Sequence, residues 1–432
     1  MYQKSFFVIP GLTRNLILYC FFMLSMCWRI KSAMTKIFLI QPLYLKNNYT
    51  MRQYLIYCLF LFFLFIEEGC TPTINVENEA LFPLPKETNQ IKKEIQLLEL
   101  ESFSLDSVEA SYLGYLEMDQ DTIYQIDEKF CWIFRFTKDG KFIDRALGLG
   151  SGPKEYNTGS IDGYCRLNDS RWLFVDSGDG CTFFTNTFDR KNRLQIIRGG
   201  SREDKSYSNP AIYTKDYGHF VMKQMGDYAY FNVHAAEGML SDFMLEPETY
   251  YRNVHVLMKL NMENGKIENL LGGYPPFYYG KRLYLFQQVS FDVDLAKEQF
   301  IVSYDADSLI YCYDKDYKPL YSFGWQGKEM NTDYHNYPTI ILAKQRDKIR
   351  AKYSYYHNIK YIKELDLLFR PYTKKLDSGC DGLQIYRGQT LIADVDVPRG
   401  MTVLGYSAPF VYATTGMDGI RESIDMFRFK LK

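Results

Sequence analysis

The stretch ALGLGSGPKEYN, residues 146–157, has the glycine density that phosphate-binding loops use. Gly148, Gly150 and Gly152 alternate, and Pro153, Lys154, Glu155 and Tyr156 follow. A P-loop needs G-x4-G-K-[ST], so that backbone amides and a Lys surround phosphates at a helix start. No Ser or Thr follows Lys154, and the residues beyond it are strand-like. The spacing of a dinucleotide fingerprint is missing too. The stretch therefore reads as a turn between strands. Its glycines allow positive φ, Glu155 accepts hydrogen bonds from loop amides, and Tyr156 packs its ring on the next structural unit.

Other residues that could do chemistry give weaker signals. GYSAP, Gly405–Pro409, approaches a nucleophile elbow, but Pro409 replaces the last Gly and the flanks are strand-like. No HExxH is present, and the histidines at 219, 234, 255, 335 and 357 are scattered. Acidic runs at 119–121 (DQD), 176–180 (DSGDG) and 305–308 (DADS) could offer oxygen ligands to calcium. None has EF-hand spacing, and Asp and Gly are ordinary turn residues, so turns are the preferred reading. No cofactor is expected, with calcium the one alternative. Nine cysteines show no CxxC or Cys-His metal spacing, and Cys131 and Cys312 read as small buried hydrophobes. Two aromatic insertions, Met225–Tyr251 and Gly272–Tyr284, exceed what turns require. Their Tyr228, Tyr230, Tyr274, Tyr278 and Tyr279, with Trp325, are the candidate ligand-facing residues, suited to stacking on sugars or packing on a protein. The alternative is that these loops seal the fold or pack on a nearby helix.

The elements that must position these residues are strands. Aromatic content is 17%, with 37 Tyr and 31 Phe, which favours a β-rich fold. Alternating runs such as TIYQID, CWIFRF, RWLFVD and SLIYCYD are bounded by Asp, Asn and Gly. Four stretches repeat one plan: Ile133–Gly148, Phe183–Gly199, Val256–Gly272 and Ile310–Gly324. Each is a strand, a polar turn, a second strand and a closing Gly, and the glycines lie 51, 73 and 52 residues apart. Before three of them another strand ends in Asp, at Asp127, Asp176 and Asp305. A four-stranded unit of about 50 residues is the period of a β-propeller blade. The span 95–432 holds six or seven such units, and its last strand, DMFRFKLK, is placed to complete a blade with strands near 95–105. One segment, 338–358, breaks the pattern and reads as a short amphipathic helix on one face of the ring.

The N-terminal part is different. No acidic residue precedes Glu67, while seven basic ones occur in the first 70 residues. Met51-Arg52, a 13-residue apolar core from Tyr54 to Ile66, and Gly69-Cys70 follow the plan of a signal peptide. That core is too short for a comfortable membrane span. The apolar core ending in Gly-Cys resembles a bacterial lipoprotein signal, which implies cleavage before Cys70 and its lipid attachment. Glu67 and Glu68 depart from the usual pattern, and a simple signal peptide or uncleaved anchor is the alternative. Residues 1–50 read as an over-extended start or an extra leader, 51–70 as the signal peptide, 71–94 as a flexible tether and 95–432 as the propeller. The overall net charge is −1 and the chain beyond residue 70 carries about −6, so neither makes a case for nucleic acid.

The run FTKDGKFIDRALGLGSGPKEYN followed by WLFVDSGDG resembles the six-bladed β-propeller lipoproteins of Bacteroides-type bacteria, relatives in shape of NHL-repeat and TolB-like propellers. The pattern is carried by Asp139, Gly140, Gly148, Gly150, Gly152, Pro153, Glu155 and Tyr156. The resemblance implies an all-β, six-bladed propeller of four-stranded antiparallel blades, exported and lipid-anchored in the cell envelope. It lends no activity. The expected function is a monomeric binding or scaffold module for an envelope protein or glycan, held to the membrane through its lipid. The alternative is a propeller enzyme of lactonase or lyase type with an axial metal ion.

Overall fold

The computed structural model of the protein describes residues 82–431, apart from 93–94, 96–97, 217–219, 236–244 and 338–342. The expected lipid site, Cys70, and the expected signal peptide, 51–70, lie outside the described residues.

The alternating runs form strands, and the polar turns close them into six sheets. Strands β1 (Gln90–Ile91) and β2 (Glu101–Ser104) come first. Blade 1 follows with β3 (Gly114–Asp119), β4 (Thr122–Asp127), β5 (Trp132–Thr137) and β6 (Phe142–Leu147). Blade 2 holds β7 (Gly163–Arg166), β8 (Trp172–Val175), β9 (Gly180–Phe184) and β10 (Arg190–Gln195). Blade 3 holds β11 (Tyr213–Lys215), β12 (Met222–Met225), β13 (Tyr228–Ala235), β14 (Leu257–Asn261) and β15 (Ile267–Leu271), with β11 and β12 both pairing β13. Blade 4 holds β16 (Val289–Asp294), β17 (Gln299–Tyr304), β18 (Ile310–Asp314) and β19 (Pro319–Phe323). Blade 5 holds β20 (Lys360–Ile362), β21 (Leu367–Tyr372), β22 (Asp381–Arg387) and β23 (Thr390–Val397). Blade 6 holds β24 (Thr402–Ser407), β25 (Phe410–Asp418) and β26 (Ser423–Phe429), with β2 as its outer strand. The protein is a six-bladed β-propeller. The four repeats seen in the sequence are the outer hairpins β5–β6, β9–β10, β14–β15 and β18–β19.

The first strand of each blade faces the axis. β24 adjoins β3, β7 adjoins β12, and β12, β16, β20 and β24 follow one another. The outermost strands meet solvent and need little apolar content, as the largely exposed β10 (RKNRLQ) illustrates. The middle strands are buried on both faces. Between blades 1 and 2, Tyr124 meets Trp172 edge-on at 5.0 Å, and Trp172 stacks on Phe174 at 5.8 Å. Each such aromatic removes enough apolar surface from water to contribute about 1.5–3 kcal/mol.

The ring closes between its two ends. β2 pairs β26 antiparallel, so the N-terminal strand completes the blade made by the last three. Arg428 of β26 donates to Glu101 of β2 at 2.9 Å and to Asp139 of blade 1 at 2.7 Å, joining three pieces at one point.

The segment before β2 departs from expectation. Residues 82–92 were expected within a flexible tether, and they are packed along the ring. Phe82 is buried against Tyr304, Tyr311 and Tyr313 of blade 4. Thr88 N donates to Ser322 O at 2.8 Å beside β19, and β1 runs parallel to β23 of blade 5. The segment thus laces blades 4, 5 and 6 along their outer strands, because those strands offer unpaired amides and carbonyls. The helix expected over 338–358 is shorter. α2 spans Ala343–Arg350, a second helix, α1, spans Pro247–Asn253, and residues 353–358 are not helical.

Candidate functional site at the crossover end of the ring

In an antiparallel blade, the loops joining strands two and three share one end of the ring with the crossings to the next blade. The long insertions 196–212, 245–256, 272–288, 324–337 and 343–359 all belong to this crossover end. Turns at the opposite, hairpin end are short and polar. The insertions over blades 3 to 5 build a cap that includes α1, the 3-10 turn Pro276–Tyr278 and α2.

The cap is a layer of tyrosines. Tyr251, Tyr274 and Tyr278 meet at ring distances of 5.0–5.3 Å. Their hydroxyls are used internally: Tyr274 donates to Gln287 O at 2.8 Å, and Tyr278 to Phe286 O at 2.9 Å. A buried phenol needs such a partner, so the tyrosines fix the loop they lie under. Beneath the cap, Arg350 reaches in from the end of α2. It donates to the Leu285 carbonyl, and through Nη2 to Gln288 Oε1 and Asp305 Oδ2, each at 3.0 Å. Its guanidinium lies 3.8 Å over the Tyr355 ring. Asp216 is also here, 3.4 Å from Asn232 Nδ2. Burial pushes Asp216 up to about 6 and Asp305 up to about 7, with Arg350 pulling both the other way.

The axis itself is filled by paired charges. Glu117 on β3 accepts from Tyr164 of β7 at 2.6 Å and from Lys360 of β20 at 3.2 Å. Asp292 on β16 pairs with Lys223 of β12 at 3.0 Å and accepts the Tyr361 amide at 2.9 Å. Burial works against the Lys223 ammonium, but Asp292 and Glu117 outweigh it and hold its pKa above the ordinary value. Two carboxylates and two ammonium groups therefore neutralise one another and tie five blades across the axis.

The residues singled out in the sequence separate into three groups. The Gly-rich motif forms a turn. Gly152 N donates to Glu155 Oε2 at 2.8 Å, and a Cβ on Gly150 would collide with that carboxylate. Tyr156 is fully buried and meets Phe174 and Phe184 of blade 2. Gly148 (φ +123°) lies against the Trp132 indole, and Gly140 (φ +84°) completes the Asp139 turn beside Ser104. Replacing Tyr156 with Ala is expected to cost about 3–5 kcal/mol, read as a lower urea midpoint, because the cavity opens between two blades.

The aromatic candidates are corrected. Tyr230, Tyr274 and Tyr278 are buried and face the core rather than a ligand. Tyr230 packs edge-on against Phe300 of blade 4. Tyr228 starts β13 at the hairpin end, with Lys259 Nζ 3.7 Å over its ring. Tyr279 is half-buried on the cap, and half-buried Trp325 lies at the crossing from blade 4 to blade 5. Tyr274 and Tyr278 meet in the cap, but the six do not converge on one site. Of the acidic runs, Asp176 accepts the Gly178 and Gly180 amides and Asp307 the Leu309 amide, as turn caps do, whereas Asp119 pairs with Arg166, Asp121 with Lys138, and Asp305 with Arg350. Among the described residues no three His, Cys, Asp or Glu side chains stand in a metal-holding group. Ser407 of GYSAP donates to Asp121, and the five described cysteines are free, with Cys131 and Cys312 buried.

Sequence reasoning missed Arg350 and the axial ring. Charges inside the short inner strands GYLEMD, MKQM and VSFDVD were the signal for the axis. Arg350 was one cation in a basic run and carried none.

No family model matches the chain, and no curated protein matches it. Among solved structures, a member of the DUF4221 family from Bacteroides vulgatus ATCC 8482 superposes with a TM-score of 0.56 at 11% identity. That match covers 78% of this chain and 99% of the other. The likeness is one of fold. A protein of Bacteroides fragilis NCTC 9343 described as exported gives 0.47 at 14% identity, over 81% of this chain and 99% of that one.

Proposed function

We propose that this chain is an exported, lipid-anchored binding module of the cell envelope, monomeric and without catalysis, whose working face is the crossover end. The observation that carries the reading is the distribution of exposed apolar side chains. Of the 13 large ones among the described residues, seven lie at the crossover end: Leu113, Phe130, Leu149, Ile197, Leu245, Leu376 and Ile420. Leu295 is the single one in a hairpin-end turn. Apolar groups exposed mainly at one end of the ring are what a partner surface needs. Export and attachment rest on the signal-like core and Cys70. The competing reading, a lactonase- or lyase-type enzyme with axial calcium, draws on the two raised carboxyls of Asp216 and Asp305. Against it, Asp305 is engaged by Arg350 and the axial acids by lysines.

A photo-crosslinking residue at Phe130 is expected to give one discrete adduct in intact cells, and the same residue at Leu295 none. Equal labelling from both positions, or stoichiometric calcium in the purified protein, would overturn this reading. In the same cells Cys70→Ala is expected to move the chain out of the membrane fraction.

A further inference from the structure

Apart from Leu295, the exposed large apolar side chains outside the crossover end fall into two groups. Phe142 and Ile143 lie on β6 of blade 1, where the Phe142 ring meets Phe136 edge-on at 5.9 Å. Leu84, Ile91 and Leu320 lie on the lace and on the strand beneath it. A parallel bridge between Glu87 and Ser322 fixes the first part of that group. Ser322 N donates to Lys86 O at 3.0 Å, and Ser322 Oγ to Pro85 O at 3.2 Å. This pairing sets residues 84–86 alongside 320–322. Ile91 continues the line on β1, paired with Leu391 of blade 5. The apolar line therefore follows the outer wall of blades 4 and 5. On β10 and β15, the outer strands of blades 2 and 3, no large apolar side chain is exposed.

The same wall is where the chain arrives from its proposed lipid. Phe82 is fixed in blade 4, and 11 residues, 71–81, separate it from Cys70. That length of chain reaches at most about 40 Å, whereas a compact body of this size is roughly 50 Å across. The side that carries Phe82 is thus the side an attached lipid keeps at the bilayer.

We infer that the outer wall of blades 4 and 5 rests on the lipid bilayer, with Leu84, Leu320 and Ile91 at the boundary between headgroups and acyl chains. This rests on the lipid-anchored reading and adds the orientation in which the anchor holds the ring. Three apolar side chains are too few to hold an unanchored protein on a membrane. Beside an attached lipid the bilayer is present at high effective concentration, so a weak contact suffices. A partner protein would require a packed apolar core, which a thin line of side chains does not offer. A fluid bilayer accepts them without matching their shape. In this pose the ring axis lies along the membrane, and the loops of the crossover end stand clear of it.

The test uses the full-length lipidated chain, purified in detergent and reconstituted into phosphatidylethanolamine–phosphatidylglycerol vesicles. A photo-crosslinking residue is placed at Leu84, or at Ile143 on the opposite blade. Lipid adducts are expected from Leu84 at least about fivefold above those from Ile143. With the reporter at Lys86, the change Leu84→Ser/Ile91→Ser/Leu320→Ser is expected to cut lipid adducts by a similar factor. These side chains are exposed, so the triple variant keeps its thermal midpoint. Equal lipid labelling at Leu84 and Ile143, unchanged labelling in the triple variant, or a protein adduct in place of the lipid one would overturn the inference. Fractionation of Cys70→Ala separates the two readings. If that variant leaves the membrane while the anchored parent gives no lipid adduct at Leu84, the orientation falls and the anchored module stands. If Cys70→Ala stays in the membrane, the anchoring fails and the orientation falls with it.

Discussion

A chain carrying Arg350→Met is expected to lose about 3–5 kcal/mol of stability at pH 8 and much less at pH 5. The guanidinium is the only cation in contact with buried Asp305 among the described residues, and it also satisfies the Leu285 carbonyl and Gln288. Removing it strands a carboxylate in the interior, which costs more than the pair contributed. Protonation relieves that cost. Burial already raises Asp305 from 3.8 to about 7 and Asp216 from 3.8 to about 6. Both folded values lie above the unfolded one, so the folded state binds the extra protons. Their contribution is fully present below about pH 4 and is lost as pH rises through 6 and 7. The parent protein should therefore weaken over that window. In the variant the cause that lowers the Asp305 pKa is gone, and the decline extends to higher pH. Urea titrations at pH 5 and 8 measure this. The double change Asp305→Asn/Arg350→Met should recover most of the loss at pH 8, since the carboxylate that Arg350 contacts is then neutral. An equal penalty at both pH values would show that packing, and not the buried charge, is what Arg350 supplies.

A chain that begins at Leu105 is expected to lose on the order of 5 kcal/mol, a large part of the stability of an ordinary domain. It lacks the β2 pairing with β26, the β1 pairing with β23, and the Phe82 ring buried in blade 4. Arg428 keeps Asp139 but loses Glu101. The uncovered edges of β26 and β23 would then invite association between chains. Size-exclusion chromatography and thermal melting are the measurements. A synthetic peptide of residues 82–104 added in trans should restore the midpoint. A truncated chain as stable and monodisperse as the parent would refute the role given to the lace.

The fold was legible because its signals are local. Alternation and turn residues mark each blade, and the Gly148–Tyr156 turn is confined to one crossing, where Glu155 and Gly152 are three residues apart. The lace was not legible. Residues 82–92 are polar with one aromatic, and their partners lie more than 200 residues away, at Ser322 and Leu391. The site failed for a related reason. A tyrosine-rich insertion looks the same whether its rings face solvent or a neighbouring blade, and Tyr274 and Tyr278 go inward because Gln287 O and Phe286 O wait for their hydroxyls. The axial pairs join blades that the chain separates widely, as with Lys360 and Glu117.

The lace also sets an order of events in time. Strands β1 and β2 precede all six blades in the chain, yet their partners β23 and β26 follow blades 1 to 4. Blades 1 to 4 can form from neighbours in the chain, whereas the ring cannot shut until its final strand is free. Contacts of such long sequence separation make folding slow. The chain therefore stays an open row of blades until β26 reaches β2, and closure of the ring is a late step of its folding.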